Sequence, residues 1–94
     1  MIIGVCTLEL NIPMATSLKD KRKVIKSLTA RLRNTFNVAV AEVDRQESRQ
    51  VAVIAVATVS SDKDYAHGLL TRVAGWVEKS RLDCELVDFE IELI

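Results

Sequence analysis

Residues 2 to 12 alternate, with Cys6, Leu8, Leu10 and Ile12 on one side and Thr7, Glu9 and Asn11 on the other, as a strand with one buried face requires. Pro13 disfavours further sheet pairing, so Asn11 to Thr16 is expected to be a loop. From Ser17 the period lengthens. Leu18, Ile25, Leu28 and Leu32 fall within about 80° of one another at helical spacing, the apolar stripe of a helix packed on one side. Ser17 has the side chain of an N-cap, and Asp20 stands where the acid of a capping box would reach back. After Asn34 the period returns to two. Phe36, Val38 and Val40 oppose Asn37, Ala39 and Ala41, a second strand that runs through Glu42-Val43-Asp44 into a polar hairpin, R-Q-E-S-R.

Val51 to Val59 reads V-A-V-I-A-V-A-T-V. It is rich in β-branched residues and apolar on both faces, which predicts a central third strand. Ser60 to Asp64 supplies a cap and first-turn acids for a second helix, along which Ala66, Leu69, Leu70, Val73 and Val77 recur at helical spacing. That helix is expected to stop between Ser80 and Leu82. Residues 84 to 94 alternate again, Val87, Phe89, Ile91 and Leu93 against Asp88, Glu90 and Glu92, a fourth strand with an acidic outer face. The order strand, helix, strand, strand, helix, strand over residues 1–94 predicts one domain of the α+β class. The matching architecture is the ferredoxin-like βαββαβ sandwich, a four-stranded antiparallel sheet of order 4-1-3-2 with two helices on one face.

Charge changes the picture. The chain is neutral, but Ser17 to Asn34 holds seven of its thirteen Lys and Arg residues and one acid, Asp20. Lys19, Arg22, Lys23, Lys26 and Arg33 share an arc of about 100° on the first helix, a basic stripe. Lys19 with Lys23 and Arg22 with Lys26 are like-charge pairs four residues apart, each unfavourable by roughly 0.2–0.5 kcal/mol. Four cations also crowd the positive end of the helix dipole. Helix stability does not select that arrangement, whereas an external anion such as phosphate is favoured at a helix N-terminus ringed by cations. A solvated face, or an internal match to the acidic strands, explains the stripe about as well.

Other chemistry is sparse. Cys6 and Cys84 lie in strand-like segments without metal or redox spacing and read as small apolar residues. In the expected sheet they fall at opposite ends, so no intrachain disulfide is expected. His67 is the only histidine, too few members for a metal site or a Ser-His-Asp relay, and no cofactor is expected. Trp76 reads as a core or rim residue ahead of a base-stacking platform, and Gly75 beside it as a point of close helix packing. No apolar run approaches the roughly 18 residues of a membrane span. The first ten residues lack a positive lead and soon meet Glu9, so a cytoplasmic location is the expectation. Apolar residues on the outer face of the third strand predict a homodimer that covers them.

The run from Ser17 to Asp44, S-L-K-D-K-R-K-V-I-K-S-L-T-A-R-L-R-N-T-F-N-V-A-V-A-E-V-D, resembles the YlxP-like bacterial family, long catalogued as a domain of unknown function. With the flanking strand, second helix and acidic last strand, the resemblance covers nearly the whole chain. It implies a ferredoxin-like fold. Genes of such proteins often lie among those for translation initiation and ribosome maturation, which implies an RNA or ribosome context. The family motif puts emphasis on Ser17, Leu18, Lys19, Lys21, Arg22, Phe36, Val38 and Glu42, with no catalytic role to transfer. At the hairpin, many relatives have an acid followed by a bulky or aromatic residue, where this chain has Gln46-Glu47-Ser48-Arg49.

Three functions can be weighed on these residues. The first is a non-enzymatic protein that binds RNA or a ribosomal subunit, holding phosphates with Lys19, Arg22, Lys23, Lys26 and Arg33. The base-reading aromatics of an RNA-recognition motif are missing from the first and third strands. The second is a structural or regulatory homodimer whose basic helix meets an acidic protein surface. The third, an acylphosphatase-like enzyme, is disfavoured because Ile12 to Thr16 contains no cation for a phosphate loop.

Overall fold

Each segment of the sequence pattern becomes an element in the computed structural model, which describes residues 1–80 and 83–94. They are β1 (Ile2–Asn11), α1 (Leu18–Thr35), β2 (Ala39–Asp44), β3 (Val51–Ser60), α2 (Lys63–Lys79) and β4 (Glu85–Leu93). The strands pair antiparallel in the order β2-β3-β1-β4, which is the expected ferredoxin-like arrangement. α2 stops at its cap, Ser80; the far end of the expected stop, Leu82, lies outside the described residues.

The core sits between the helices and one sheet face. Cys6, Leu8 and Leu10 of β1 and Ala52, Ile54 and Val56 of β3 are buried there, against Leu28 and Leu32 of α1 and Leu70 and Val73 of α2. The alternation of β1 and β3 therefore has a physical cause: every second side chain faces the helices. At Gly4 the missing side chain lets β1 lie close to α2 and β4, since a Cβ there would stand 2.9 Å from Leu70 Cδ1 and 3.3 Å from Leu93 Cδ2.

Three local expectations need correction. Phe36 is the C-cap of α1, its N–H bonded to Leu32 O; β2 begins only at Ala39. Phe36 and Val38 alternate because both pack on the core, not because they join the ladder. In β4, Leu86 pairs with Leu10 and Asp88 with Glu9, so a bulge inserts Val87 and leaves it exposed. Leu86, Phe89, Ile91 and Leu93 share the helix face by register, and Val87 does not join them. Finally, Asp20 does not close a capping box on Ser17. Ser17 Oγ accepts the Asp20 N–H at 3.1 Å, but Asp20 Oδ2 reaches one residue further back, accepting the Thr16 hydroxyl at 2.8 Å and the Thr16 N–H at 3.1 Å.

The other sheet face is open. Its middle is apolar and small, with Ala39 and Ala41 of β2, Ala55, Ala57 and Val59 of β3, and Val5 of β1. The contrast between the two faces of β3 is testable by denaturant unfolding. Ile54→Ala, on the helix face, should cost about 2–5 kcal/mol. Val59→Ala, at a residue 64% exposed, should stay within about 0.5 kcal/mol for an isolated chain. Comparable losses at the two positions would mean that the open face is covered in solution.

Candidate functional site: a basic helix held by a buried lysine

Seven cations on one helix are too many to treat alike, and the fold sorts them. Lys21 is turned inward and only 1% exposed. Its position explains this: at helical spacing it falls between Leu28 and Leu32, in the middle of the apolar stripe. The alkyl stem packs with the core and carries the ammonium to the mouth of the β2–β3 hairpin. There Nζ donates to Arg45 O at 2.7 Å and lies 2.8 Å from Glu42 Oε2. Glu42 is 20% exposed, and Oε2 is buried with no well-aligned hydrogen bond, so the attraction of opposite charges holds it there.

The same carbonyl organises the hairpin. Arg45 adopts a left-handed backbone, φ 60°, unusual for a residue with a side chain. Its carbonyl accepts the Ser48 N–H at 3.0 Å as well as Lys21 Nζ, while Asp44 Oδ1 accepts the Arg45 N–H at 2.7 Å. One buried ammonium thus ties α1 to both β2 and the turn that follows it.

Of the five cations expected to bind anions, Lys19, Arg22, Lys23 and Lys26 are exposed and make no ion pair among the described residues. Arg33 is different. Its Nη2 donates to Val40 O at 3.0 Å, so the guanidinium is pinned against edge strand β2. Position along the helix also matters. The Asp20 carboxylate already sits at the N-terminal turn, and the Thr16 hydroxyl, followed by the Thr16 N–H, holds its pKa below the usual value. An external anion therefore meets a charge already in place at the helix end, and the available cationic surface is the side of α1.

Between the β1–α1 loop and the hairpin lies a polar depression lined by Ala15, Thr16, Glu47, Ser48, Arg49 and Gln50. Gln50 Nε2 donates to Pro13 O and Ala15 O, both at 3.3 Å. Arg49 Nη1 reaches Thr16 O at 3.5 Å, which brings a cation to the loop that has none of its own. Glu47 stands beside it, so the depression carries no net positive field.

Most strand acids occupy the opposite side of the molecule. The four strands contain no Lys or Arg, yet carry Glu9, Glu42, Asp44, Glu85, Asp88, Glu90 and Glu92. By register Glu9 faces Asp88 across the β1–β4 ladder, with Glu90 opposite Thr7 and Glu92 opposite Val5, all on the open face. The cations of α1 and these four acids are therefore separated by the thickness of the sheet and the core.

Both cysteines are free. Burial pushes the Cys6 thiol up to about 11 from 9.0. Burial and then the charge of Asp83 raise that of Cys84. Neither is an activated nucleophile, because the thiolate is the reactive form. Among the described residues no cluster of three His, Cys, Asp or Glu side chains could hold a metal, and no helix is long and apolar enough to cross a membrane.

A family model described as a protein of unknown function, DUF503, matches residues 3–91. The chain belongs to the DUF503 family. An uncharacterized protein of Bacillus subtilis strain 168, YlxP, is 35% identical over 77 residues, 82% of this chain and 84% of the relative. The YlxP-like resemblance of the first helix and second strand is thus matched by a relative over most of the chain. The de novo designed protein Foldit4 superposes on this DUF503 chain with a TM-score of 0.54 at 17% identity, covering 100% of this chain and 97% of the design. At that identity the likeness speaks for the fold alone.

Two outcomes follow for this DUF503 protein. Glu42→Ala leaves the Lys21 ammonium buried beside a single carbonyl, and should lower the unfolding free energy by about 3 kcal/mol. Lys21→Met combined with Glu42→Leu should recover most of that, since apolar replacement of a buried pair is often close to neutral. An unchanged urea midpoint for Glu42→Ala would show that the pair does not form. For Cys6, the folded thiol keeps its proton to about pH 11 while the unfolded one loses it near 9.0. Stability should therefore fall as pH rises through that window. Cys6→Ala should make the fall shallower, read as the change in melting temperature between about pH 8.5 and about pH 10.5.

Proposed function

We propose that this protein is a non-enzymatic RNA-binding or ribosome-associated protein of the cytoplasm, which contacts phosphates through the side of α1. The observation that carries the reading is the sorting of the cations. Lys21 is consumed by the fold, and Lys19, Arg22, Lys23 and Lys26 are left exposed along one helix with no acid paired to them among the described residues. Arg33 adds its charge from the β2 end. Repulsion within this row is unfavourable for the isolated helix, and a row of phosphates would reverse its sign.

The acidic strands give the complex a polarity. An RNA backbone is repelled by Glu9, Asp88, Glu90 and Glu92 on the open sheet face, so the helix layer faces the nucleic acid. Strands β1 and β3 carry no aromatic side chain, so this reading does not use the sheet to recognise bases. Backbone contacts to structured RNA suit the stripe better.

A second reading rests on the same charge separation. The basic side of one copy's α1 complements the acidic open face of another, whose apolar middle it would also cover, giving salt-sensitive self-association without RNA. Binding of a labelled RNA duplex and of ribosomal subunits, measured across a salt series, separates the two. Wild type should bind with an affinity that falls steeply with salt. Arg22→Glu combined with Lys26→Glu, folded by circular dichroism, should show a log-log slope shallower by about one for each phosphate that the variant no longer neutralises. Failure of wild type to bind either target at low salt, with salt-sensitive dimerisation in sedimentation, would favour the second reading.

A further inference from the structure

The basic stripe is not the only cationic surface of the helix layer. On the other flank of α1, Arg31 faces a groove of about 550 Å³ whose remaining wall is α2, with Arg72, Gly75, Trp76 and Lys79 along it and Phe36 at its base. Among the described residues, three cations and two aromatic rings line the space, and no acid does. Trp76 is half-buried, and its ring meets Phe36 edge-on, with centroids 6.5 Å apart at 90°. Packing against Phe36 fixes the indole at the groove wall. Lys79 lies in the last turn of α2, where the helix dipole favours a cation. Arg31 and Arg72 have no such explanation and no ion pair among the described residues.

Glycine supplies an independent observation. Gly68, Arg72, Gly75, Trp76 and Lys79 fall within about 100° of one another around α2 at helical spacing. A glycine inside a helix costs roughly 0.5–1 kcal/mol relative to alanine. Close packing was the expected reason for Gly75, and the structure overturns it. Among the described residues a Cβ at Gly75 would meet nothing within 4 Å and one at Gly68 only Arg72 Nη1 at 4.0 Å, and neither glycine has a positive φ. What a side chain at position 75 would do is fill the groove.

We propose that this groove binds one unpaired nucleotide of an RNA strand, its base against Trp76 and the Arg planes and its phosphate among Arg31, Arg72 and Lys79. The inference rests on the RNA reading above and adds a single-strand site to it. An acidic peptide would satisfy the cations but has no use for the indole. A nucleotide uses both, because every base has a flat face for Trp or guanidinium to stack on. The volume lies within the ~300–1,000 Å³ of small-ligand sites.

Trp76 is the only tryptophan, so its fluorescence reports on the groove alone. The full chain would be titrated with an oligoadenylate of about ten nucleotides, with AMP, with polyglutamate and with a labelled RNA duplex, the last read by anisotropy. The oligoadenylate should quench Trp76. Gly75→Leu, and separately Arg31→Gln with Arg72→Gln, should weaken that binding about tenfold or more while melting no lower than wild type. The Arg22→Glu/Lys26→Glu variant should bind more weakly yet reach the same quench at saturation. Binding of an end-labelled copy of the oligoadenylate, read by anisotropy, without quenching of Trp76, or wild-type affinity in Gly75→Leu, would overturn the groove and leave the stripe standing. No binding of any RNA at low salt would remove both. Equal quenching by polyglutamate would make the groove a site for acidic peptides, and AMP binding as tightly as the oligomer would make it a free-nucleotide site; either result overturns the proposal.

Discussion

A single ammonium group determines how α1 sits on this fold. β2 is an edge strand with one hydrogen-bonded neighbour, β3, and it has only six residues. Such a strand gains little from its ladder alone. Lys21 supplies a second attachment by meeting Glu42 within β2 and the Arg45 carbonyl just beyond it. Burying an ammonium has a desolvation cost of several kcal/mol, which the ion pair and hydrogen bond offset only where the geometry is good. The arrangement is therefore specific before it is stabilising. It favours the same rotation of α1 that buries Ile25, Leu28 and Leu32, because turning the helix would draw the Lys21 ammonium away from Glu42 and the Arg45 carbonyl. That rotation decides which of the remaining cations reach solvent.

Arg33 reinforces the same choice from the far end of the helix. Its bond to Val40 O and the Lys21 interactions anchor α1 to β2 at both ends, more than two turns apart. With the apolar stripe facing the sheet and Arg33 turned to β2, Lys19, Arg22, Lys23 and Lys26 fall on the outer side, and Arg31 on the flank towards α2. The direction in which the cationic surface points is thus set by how the helix is held. Its separation from the acids has a complementary cause: strand residues that do not face the helices face the open side, and on β4 these are Asp88, Glu90 and Glu92.

Much of this was legible in the sequence because burial imposes period. Cys6, Leu8 and Leu10 alternate for the reason they are buried, and Ser17 announces a cap that the structure contains. What failed to show were departures from period. The β4 bulge hides in a segment that still alternates after it, and the only mark it leaves is the adjacent apolar pair Leu86-Val87. Phe36 and Val38 mimic a strand because core packing selects apolar residues in irregular backbone too. Lys21 was concealed by its residue type: counted as charge, it joined the basic helix, although its projection between Leu28 and Leu32 placed it in the core. The groove beside Trp76 was invisible for a different reason, since Arg31 and Arg72 are 41 positions apart and no local pattern links them.

The position of Gly75 bears on how the helix layer is used. Core packing tolerates almost any exposed residue at that position, and helix propensity favours most residues over glycine. A residue chosen by neither is a local conflict of the kind that collects where a surface serves something outside the chain. The row Lys19, Arg22, Lys23 and Lys26 is a second conflict of the same sort, unfavourable for its own helix. Both lie on the helix layer, one on each flank of α1, and the strands beneath hold no cation at all. Two independent departures from what stability alone would select therefore fall on the same side of the sandwich, the side on which the proposed RNA would lie away from the acids of the sheet.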